Sequence, residues 1–259
     1  MADNYNSESD NERLAPYVVK GLSREYAKRV TIAKIIGAIV GGIALLFLSI
    51  FFVSNVIAKS SKLVIRAAQG GGSLSLAEKV EDFDQGEGRT TLYAKSLDKI
   101  RDIDGNNAVP EDIYKLDGGS HNTEDYFCYT FYLKNVGTSY LHSTMTMEIT
   151  LNTKHIADAI RIEVYETEMY TKDQETTFIK YAKRAQNGAD EPISYILNKG
   201  NCTSFLDDKY ICKKGVDAPV GGVIKFTIVM YLEGPDPECI NDILGGTFGF
   251  NIDFTNKIS

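Results

Sequence analysis

Hydrophobic and polar residues alternate one by one along several segments of the chain. In a β-strand successive side chains point to opposite faces, so each segment is predicted to be a strand with one face in the core and one in water. In one of them Ile160, Ile162 and Val164 would face the core, whereas Arg161 and Glu163 would face water. Half-exposed strands of this kind are typical of antiparallel sheets. The alternating segments are residues 145–151, 160–166, 223–233 and 247–255.

Residues 126–134 differ because both of their faces are apolar or aromatic, which predicts a central strand covered on two sides. Glycine- and asparagine-rich turns separate further short segments, and two helical turns are expected at 154–159 and 238–244. Many short strands with few helices indicate a mainly β fold, here an antiparallel two-sheet, jelly-roll-like sandwich. The shorter predicted strands are residues 62–67, 73–77, 90–95, 177–183 and 193–197.

A different pattern precedes these strands: residues 35–58 form an uncharged run of 24 residues. As a helix the run would be about 36 Å long, which is enough to cross a hydrocarbon core of about 30 Å. It favours an uncleaved signal-anchor helix at 31–58. Cleavage after Ala58, as in a signal peptide, and a soluble helix are the alternatives.

The anchor divides the chain into parts with different predicted environments. Residues 1–30 form a mostly disordered tail, 59–79 a membrane-proximal segment, and 80–259 the sandwich domain. The positive-inside rule places the N-terminus in the cytoplasm and the domain outside, because five basic residues flank the run between residues 20 and 34 and three flank it between residues 59 and 66. The five are Lys20, Arg24, Lys28, Arg29 and Lys34, and the three are Lys59, Lys62 and Arg66.

The composition after the run restricts the partners of the domain. Residues 59–259 carry 22 lysines and arginines against 30 aspartates and glutamates, a net charge of −8. This surface would repel phosphate backbones, which argues against nucleic acid as a partner. The expected partners are the lipid bilayer and, through strand exchange or edge pairing, another copy of the chain or other surface proteins.

All four cysteines follow the apolar run. Cys202 and Cys212 are close enough in sequence for a hairpin disulfide, which would leave Cys128 to pair with Cys239. An extracellular location permits these disulfides without requiring them, and free buried thiols are the alternative. A zinc site is disfavoured because the chain has no C-x-x-C pair.

The sequence lacks the common catalytic motifs, including G-x-S-x-G, H-E-x-x-H and the phosphate-binding loop. The three histidines, His121, His142 and His155, are not spaced as metal ligands and are expected at the surface. A glycosidase-like pair of carboxylates stays open, although no pair stands out among thirty acidic residues. We therefore expect that the protein is not an enzyme and that it binds no cofactor.

One acidic loop resembles the beginning of a calcium site. Asp102, Asp104 and Asn106 place side-chain oxygens at alternate positions before a turn, but no glutamate completes the pattern, so an ordinary turn is the alternative. Asn201-Cys202-Thr203 matches a glycosylation sequon, a short pattern that also arises by chance.

Three stretches together resemble surface proteins of Gram-positive bacteria, namely the TasA and camelysin group. They are YFCYTFYLKNVG (126–137), DAIRIEVYE (158–166) and YLEGPDPECINDILGGTFGFNIDF (231–254). The resemblance implies a jelly-roll β-sandwich, and in TasA-like proteins released subunits assemble into biofilm-matrix fibres by lending an N-terminal strand. The chain departs from that group because its leader begins late and its apolar run is long.

These observations predict a membrane-anchored, extracytoplasmic sandwich with a structural or adhesive role at the cell envelope, including surface or matrix assembly. In this hypothesis the segment 59–79, with its weak strand pattern, pairs with its own sheet or with a neighbour's. The alternative is a ligand-binding or sensing domain that signals through the short cytoplasmic tail. A carboxylate-based envelope hydrolase is the third hypothesis.

Overall fold

The computed structural model describes residues 28–29, 31–32, 34–43, 45, 63–67, 74–197 and 200–256. The chain divides into two units, Met1–Ile57 and Ala58–Ser259. In the first unit the described residues, all between 28 and 45, are helical. No helix among the described residues is long and apolar enough to cross a membrane. Residues 46–58, the second half of the predicted anchor, lie outside the described residues, as do most of the predicted tail and the cleavage position after Ala58.

The described residues of the second unit contain thirteen strands, which form two sheets. In chain order the strands are β1 (Val64–Ala67), β2 (Leu74–Ala77), β3 (Thr91–Tyr93), β4 (Asp102–Ile103), β5 (Gly119–Ser120), β6 (Phe127–Asn135), β7 (Leu141–Asn152), β8 (Ile160–Glu168), β9 (Thr176–Ala182), β10 (Thr203–Ser204), β11 (Tyr210–Ala218), β12 (Val223–Glu233) and β13 (Phe248–Asn256). Short helical turns lie at Val80–Phe83, Gly105–Ala108, Ile113–Lys115, Ile156–Ala159 and Asn241–Ile243.

The first sheet has the strand order β11-β7-β13-β1-β3, and the second has β10-β9-β8-β12-β6-β2. Two short strands attach to the second sheet, β4 to β12 and β5 to β6. The long strands pair antiparallel, as predicted. Three short strands pair in parallel, β1 with β13, β4 with β12 and β10 with β9. The predicted antiparallel pairing is therefore confirmed for the long strands, but both sheets are mixed, because these short strands enter the sheets from loops and not from hairpins.

One apolar core lies between the two sheets. Phe131 of β6 and Phe226 of β12, both on the second sheet, stack with 5.3 Å between ring centroids. Phe254 of β13 approaches Phe226 from the first sheet at 5.4 Å. Burying large aromatic side chains from both sheets stabilises their face-to-face packing. The described strands thus form a β-sandwich.

The prediction that β6 is covered on two sides is confirmed. Its odd-numbered side chains, including Phe131, belong to the central core, whereas Cys128 lies in a second cluster on the outer face with Val229 and Tyr231. The helical turns Gly105–Ala108 and Ile113–Lys115 contribute to this cover, since Val109 and Ile113 pack in the same cluster.

The second cluster corrects the prediction that β8 and β12 have a wet face. Arg161 is 1% exposed, and Glu163 and Thr227 are also buried. Alternation shows which residues avoid the central core, but it does not show whether loops cover the other face.

Most other predicted elements are confirmed with shifted ends. The strand predicted at 193–197 is wrong, because residues 195–197 form a turn in which the Ser194 hydroxyl accepts a hydrogen bond from the backbone of Leu197 (3.0 Å). The nine-residue strand β11 was not predicted. Its alternation is broken by an irregular register between Tyr210 and Cys212, where it pairs with β7.

Candidate functional site

A group of buried charges lies beside the end of the second sheet. Arg161, the second residue of β8, is opposite Tyr231 of β12 in the sheet register. Its Nη2 atom is 2.7 Å from Glu191 Oε2 and 2.7 Å from Asp236 Oδ2. The three side chains are at most 1% exposed, so the charges are held away from water and depend on one another. We call Arg161, Glu191, Asp236 and Glu238 the Arg161 cluster.

Two turns bring the carboxylates to Arg161. Asp236 lies in the corner Gly234-Pro235-Asp236-Pro237 directly after β12, and its Oδ1 accepts a hydrogen bond from the backbone of Glu238 (2.7 Å). Glu191 lies between β9 and β10, where its carbonyl accepts a hydrogen bond from the backbone of Cys202 (2.7 Å). Proline fixes the backbone of the corner, which limits the positions that Asp236 can take.

Hydrogen bonds to the loop before β10 hold Glu191 and Glu238 in place. The Tyr195 hydroxyl donates to Glu191 Oε2 (2.5 Å), and the backbone of Gln186 donates to Glu238 Oε1 (2.6 Å). Burial raises the pKa of Glu191, and the negative charges of Asp236 and Glu238 raise it further, against the opposing effects of Tyr195 and Arg161.

The hydrogen bonding of the cluster is incomplete. Glu191 Oε1, Glu238 Oε2 and Arg161 Nε are buried atoms without a hydrogen-bond partner. One carboxylate oxygen from each of Glu191, Asp236 and Glu238 lies within 4.8 Å of the others. The described residues therefore bring together three oxygen donors at a distance compatible with a shared metal ion.

A neighbouring carboxylate shows what complete pairing looks like in this protein. Glu163 Oε1 is 2.9 Å from Lys180 Nζ and accepts a hydrogen bond from the Tyr231 hydroxyl (3.2 Å), while Glu163 Oε2 accepts one from Tyr165 (2.9 Å). Both oxygens of this buried side chain have partners, whereas Glu191 has a partner only for Oε2.

An apolar cavity of about 570 Å³ opens at the same end of the domain. Apolar side chains from both sheets line it, including Leu63, Phe127, Ile160 and Phe250. Asp98, Lys99 and Asp102 provide polar groups in its wall. A volume of this size matches the clefts in which proteins bind small molecules.

The residues of the predicted calcium loop are used locally. Asp104 precedes the helical turn Gly105–Ala108, where its Oδ1 accepts a hydrogen bond from the backbone of Asn106 (3.2 Å) and its Oδ2 accepts one from the Asn107 side chain (2.5 Å). Asp102 lies in β4 beside Leu232 of β12. Because the cap uses both Asp104 oxygens, the ordinary turn describes these contacts, and calcium binding here stays a prediction.

The four cysteines are free thiols in the structure, so neither predicted disulfide, Cys202–Cys212 or Cys128–Cys239, is formed. Cys202 donates to the Pro192 carbonyl (3.4 Å), whereas Cys212 interacts with Tyr181. Burial raises the pKa of Cys128 to about 12 and the pKa values of Cys202 and Cys239 to about 11. This arrangement matches the alternative of free thiols, with little reactive thiolate at neutral pH.

The three histidines make separate local contacts. His121 Nε2 is 2.6 Å from the Asp117 carbonyl, and His142 Nδ1 is 3.1 Å from Asp217. His155 precedes the turn Ile156–Ala159 with a positive φ of 56°.

Asn201, the first residue of the predicted glycosylation sequon, is exposed, but the following Cys202 is buried.

The Arg161 cluster was not found from the sequence. The corner at 233–238 was visible as a proline-rich turn, and Arg161 was visible as the polar partner in an alternating strand, but Glu191 has no such pattern. A basic residue between two isoleucines at the start of a β-strand is the one signal that could have suggested a buried ion pair.

Comparison of the chain with protein-family models, curated proteins and solved structures gave no match.

Proposed function

We propose that this chain is a single-pass membrane protein whose β-sandwich acts outside the cell in a structural or adhesive role, including assembly at the surface or in a matrix. The apolar run 35–58 would be the anchor, with the N-terminus in the cytoplasm. Within the run, the described large apolar side chains are each more than half exposed, which suits contact with lipid. They are Ile35, Ile36, Ile39, Val40, Ile43 and Leu45.

The pairing of the first strand, β1, supports a mechanical role. β1 pairs with β13 on one side and with β3 on the other, and Ile65 is fully buried. On the outer face Arg66 forms an ion pair with Asp253 of β13 (2.6 Å). A pull on the N-terminal end of the domain would act on a strand that is held from both sides.

The pairing of β1 and β2 changes the proposed route of self-association. The two described strands of the segment 59–79 pair within their own domain, β1 in the first sheet and β2 with β6 in the second. This arrangement does not favour lending the segment to a neighbour. The proposal therefore places self-association at the edge of the first sheet.

The single observation that carries the proposed role is the position of β11 at an edge of the first sheet. Among the described strands, this nine-residue strand pairs only with β7 and so forms an edge of the first sheet, although the backbone of Leu206 and Asp207 and the Tyr170 hydroxyl donate to three of its carbonyls. Lysines on an edge normally discourage pairing. Here, however, Lys213 lies 4.1 Å from the centre of the Tyr210 ring, and Lys214 pairs with Glu166 of its own domain.

Cross-linking between copies tests this role directly. In membranes that contain the chain, Lys213→Cys at the edge is compared with Thr255→Cys on the central strand β13, and a bis-maleimide links the exposed thiols. We expect linked dimers with the edge variant and few with the control, together with loss of cell adhesion when the gene is deleted. Equal linking of both variants, or unchanged adhesion of the deleted strain, would contradict the proposal.

A jelly-roll topology, as the resemblance to the TasA and camelysin group implies, belongs to the same proposal. What supports it is the two-sheet core with long antiparallel strands β6, β7, β8, β12 and β13. We assign no catalytic step to the domain, because Glu191 and Asp236, two carboxylates that lie together, are covered and already paired with Arg161.

The cavity favours ligand binding as a second candidate function. If an apolar dye binds in the cavity, the variant Ser96→Trp should bind the dye more weakly, because the indole would fill part of the cavity. Ser96 lines the wall and is only partly buried. Ser120→Trp on β5, which is not among the lining residues, is the matched control. Equal dye binding by both variants would remove the support that the cavity gives to this function.

A further inference from the structure

We propose that Glu191, Asp236 and Glu238 bind one hard divalent cation, and that calcium is the cation for which their donors are suited. The proposal concerns a site distinct from the sequence-predicted loop at Asp102 and Asp104. It also goes beyond the envelope role, because it does not depend on where the domain is located.

The first support is the convergence of three carboxylates from two separate loops. One oxygen from each lies within 4.8 Å of the others, although like charges repel. Arg161 supplies one positive charge, so the cluster has a net charge of −2 when its carboxylates are ionised. A divalent cation would bring that charge to zero.

The second support comes from the buried oxygens that have no partner. Glu191 is 2% exposed, yet its Oε1 accepts no hydrogen bond. Glu238 Oε2 is also a buried atom that accepts no hydrogen bond. Leaving a buried acceptor unpaired is costly, and leaving a charged one unpaired costs more. A cation between the loops would satisfy these oxygens while Arg161 and Tyr195 keep Glu191 Oε2.

The donor set decides the class of cation. All three ligands are carboxylates, and no histidine or thiol of the described residues joins the group, which disfavours zinc. Calcium accepts six to eight oxygens in flexible geometry, whereas magnesium demands a near-octahedral shell and keeps more of its water. Three carboxylates held by loops, one of them Glu238 at the partly exposed side, fit calcium better.

A proton is the competing occupant. Burial and the charges of Asp236 and Glu238 raise the pKa of Glu191, so a protonated Glu191 would also reduce the repulsion. The two occupants differ in one measurable respect, because only the cation is removed by a chelator and restored by a metal salt.

Terbium luminescence tests the proposal on the full chain in mild detergent after treatment with a calcium chelator. The chain contains no tryptophan, and the Tyr195 hydroxyl is 2.5 Å from Glu191, so tyrosine excitation should sensitise terbium bound in the cluster. We expect one site from which calcium displaces terbium and magnesium does so much more weakly. Glu191→Gln should weaken the binding by about tenfold or more.

Two further variants keep the outcome decisive. Glu238→Gln should also weaken binding, and because Glu238 is partly exposed this variant guards against misfolding of Glu191→Gln. Asp104→Asn is the matched control and should leave the affinity unchanged. The proposal is overturned if calcium does not bind, if zinc binds in its place, if the two glutamate variants bind normally, or if Asp104→Asn abolishes binding.

Discussion

Replacing Arg161 by methionine is the perturbation whose cost is best defined by the structure. The substitution keeps the apolar stem of the side chain but removes both 2.7 Å ion pairs. Glu191 and Asp236, which are 1% and 0% exposed, would then face each other without a counter-charge. Breaking a buried ion pair in this way costs about 3–5 kcal/mol of the free energy of unfolding.

A loss of that size is large relative to a typical domain stability of about 5–15 kcal/mol. With a urea dependence of about 2 kcal/mol per molar, a loss of about 4 kcal/mol lowers the unfolding midpoint by roughly 2 M. The assay is urea unfolding of the full chain in mild detergent at pH 7, followed by circular dichroism in the presence of a calcium chelator.

Arg66→Gln is the matched control. Arg66 also forms an ion pair, with Asp253 at 2.6 Å, but the two side chains are 45% and 28% exposed. Pairs in water contribute about 0–1 kcal/mol, so the control should shift the midpoint little.

A triple variant separates unpaired charge from lost packing. Combining Arg161→Met with Glu191→Gln and Asp236→Asn should recover part of the loss, because the two carboxylates that pair with Arg161 no longer carry a charge. The reasoning is refuted if Arg161→Met costs no more than Arg66→Gln, or if the triple variant is less stable than Arg161→Met alone.

Further predictions address other parts of the structure. Without reductant, all four cysteines should react with a maleimide after unfolding and hardly at all before it, and fewer than four labelled thiols would indicate a disulfide. Ile65→Ala should lower the free energy of unfolding by about 2–5 kcal/mol, because this side chain of β1 is fully buried, and a urea midpoint close to that of the unmodified chain would contradict this. Burial raises the pKa of Glu233 above its usual 4.5, so its contribution to stability is complete below pH 4.5 and is lost as the pH rises through the raised value. Glu233→Gln should therefore flatten the decline in stability above pH 4.5, and an unchanged pH profile would exclude this cause. Gly118→Ala should destabilise the domain by about 1–3 kcal/mol or more, because the added carbon would lie 1.3 Å from the Glu78 carbonyl oxygen, and an unchanged thermal midpoint would contradict that contact.

The long strands were predictable because their patterns reflect one dominant force. In β13 every second residue enters the central core, and burial of Phe250, Ile252 and Phe254 fixes both the strand and its face. β6 was recognisable as a two-sided strand for the same reason. Alternation depends on neighbours within the strand, so the sequence carries this information locally.

The candidate site was not predictable, because it depends on contacts between distant residues. Arg161 and Asp236 are 75 residues apart, and Glu191 enters from a third segment. A polar position opposite a core-facing residue is normally solvated, and only the loops that cover the second sheet make Arg161 buried. The parallel strands β4 and β10 were missed, as was the parallel pairing of the predicted strand β1, since two- to four-residue segments hold too little pattern to define their partners.

The central claim is a helix in the bilayer with the sandwich outside the cell. The most direct measurement places one epitope tag at each end of the chain and treats intact cells with a protease that does not cross membranes. We expect the C-terminal tag to be lost, the N-terminal tag to be protected until the cells are opened, and the protected fragment to sediment with the membranes. Protection of both tags in intact cells, together with recovery of the chain in the soluble fraction, would contradict the claim.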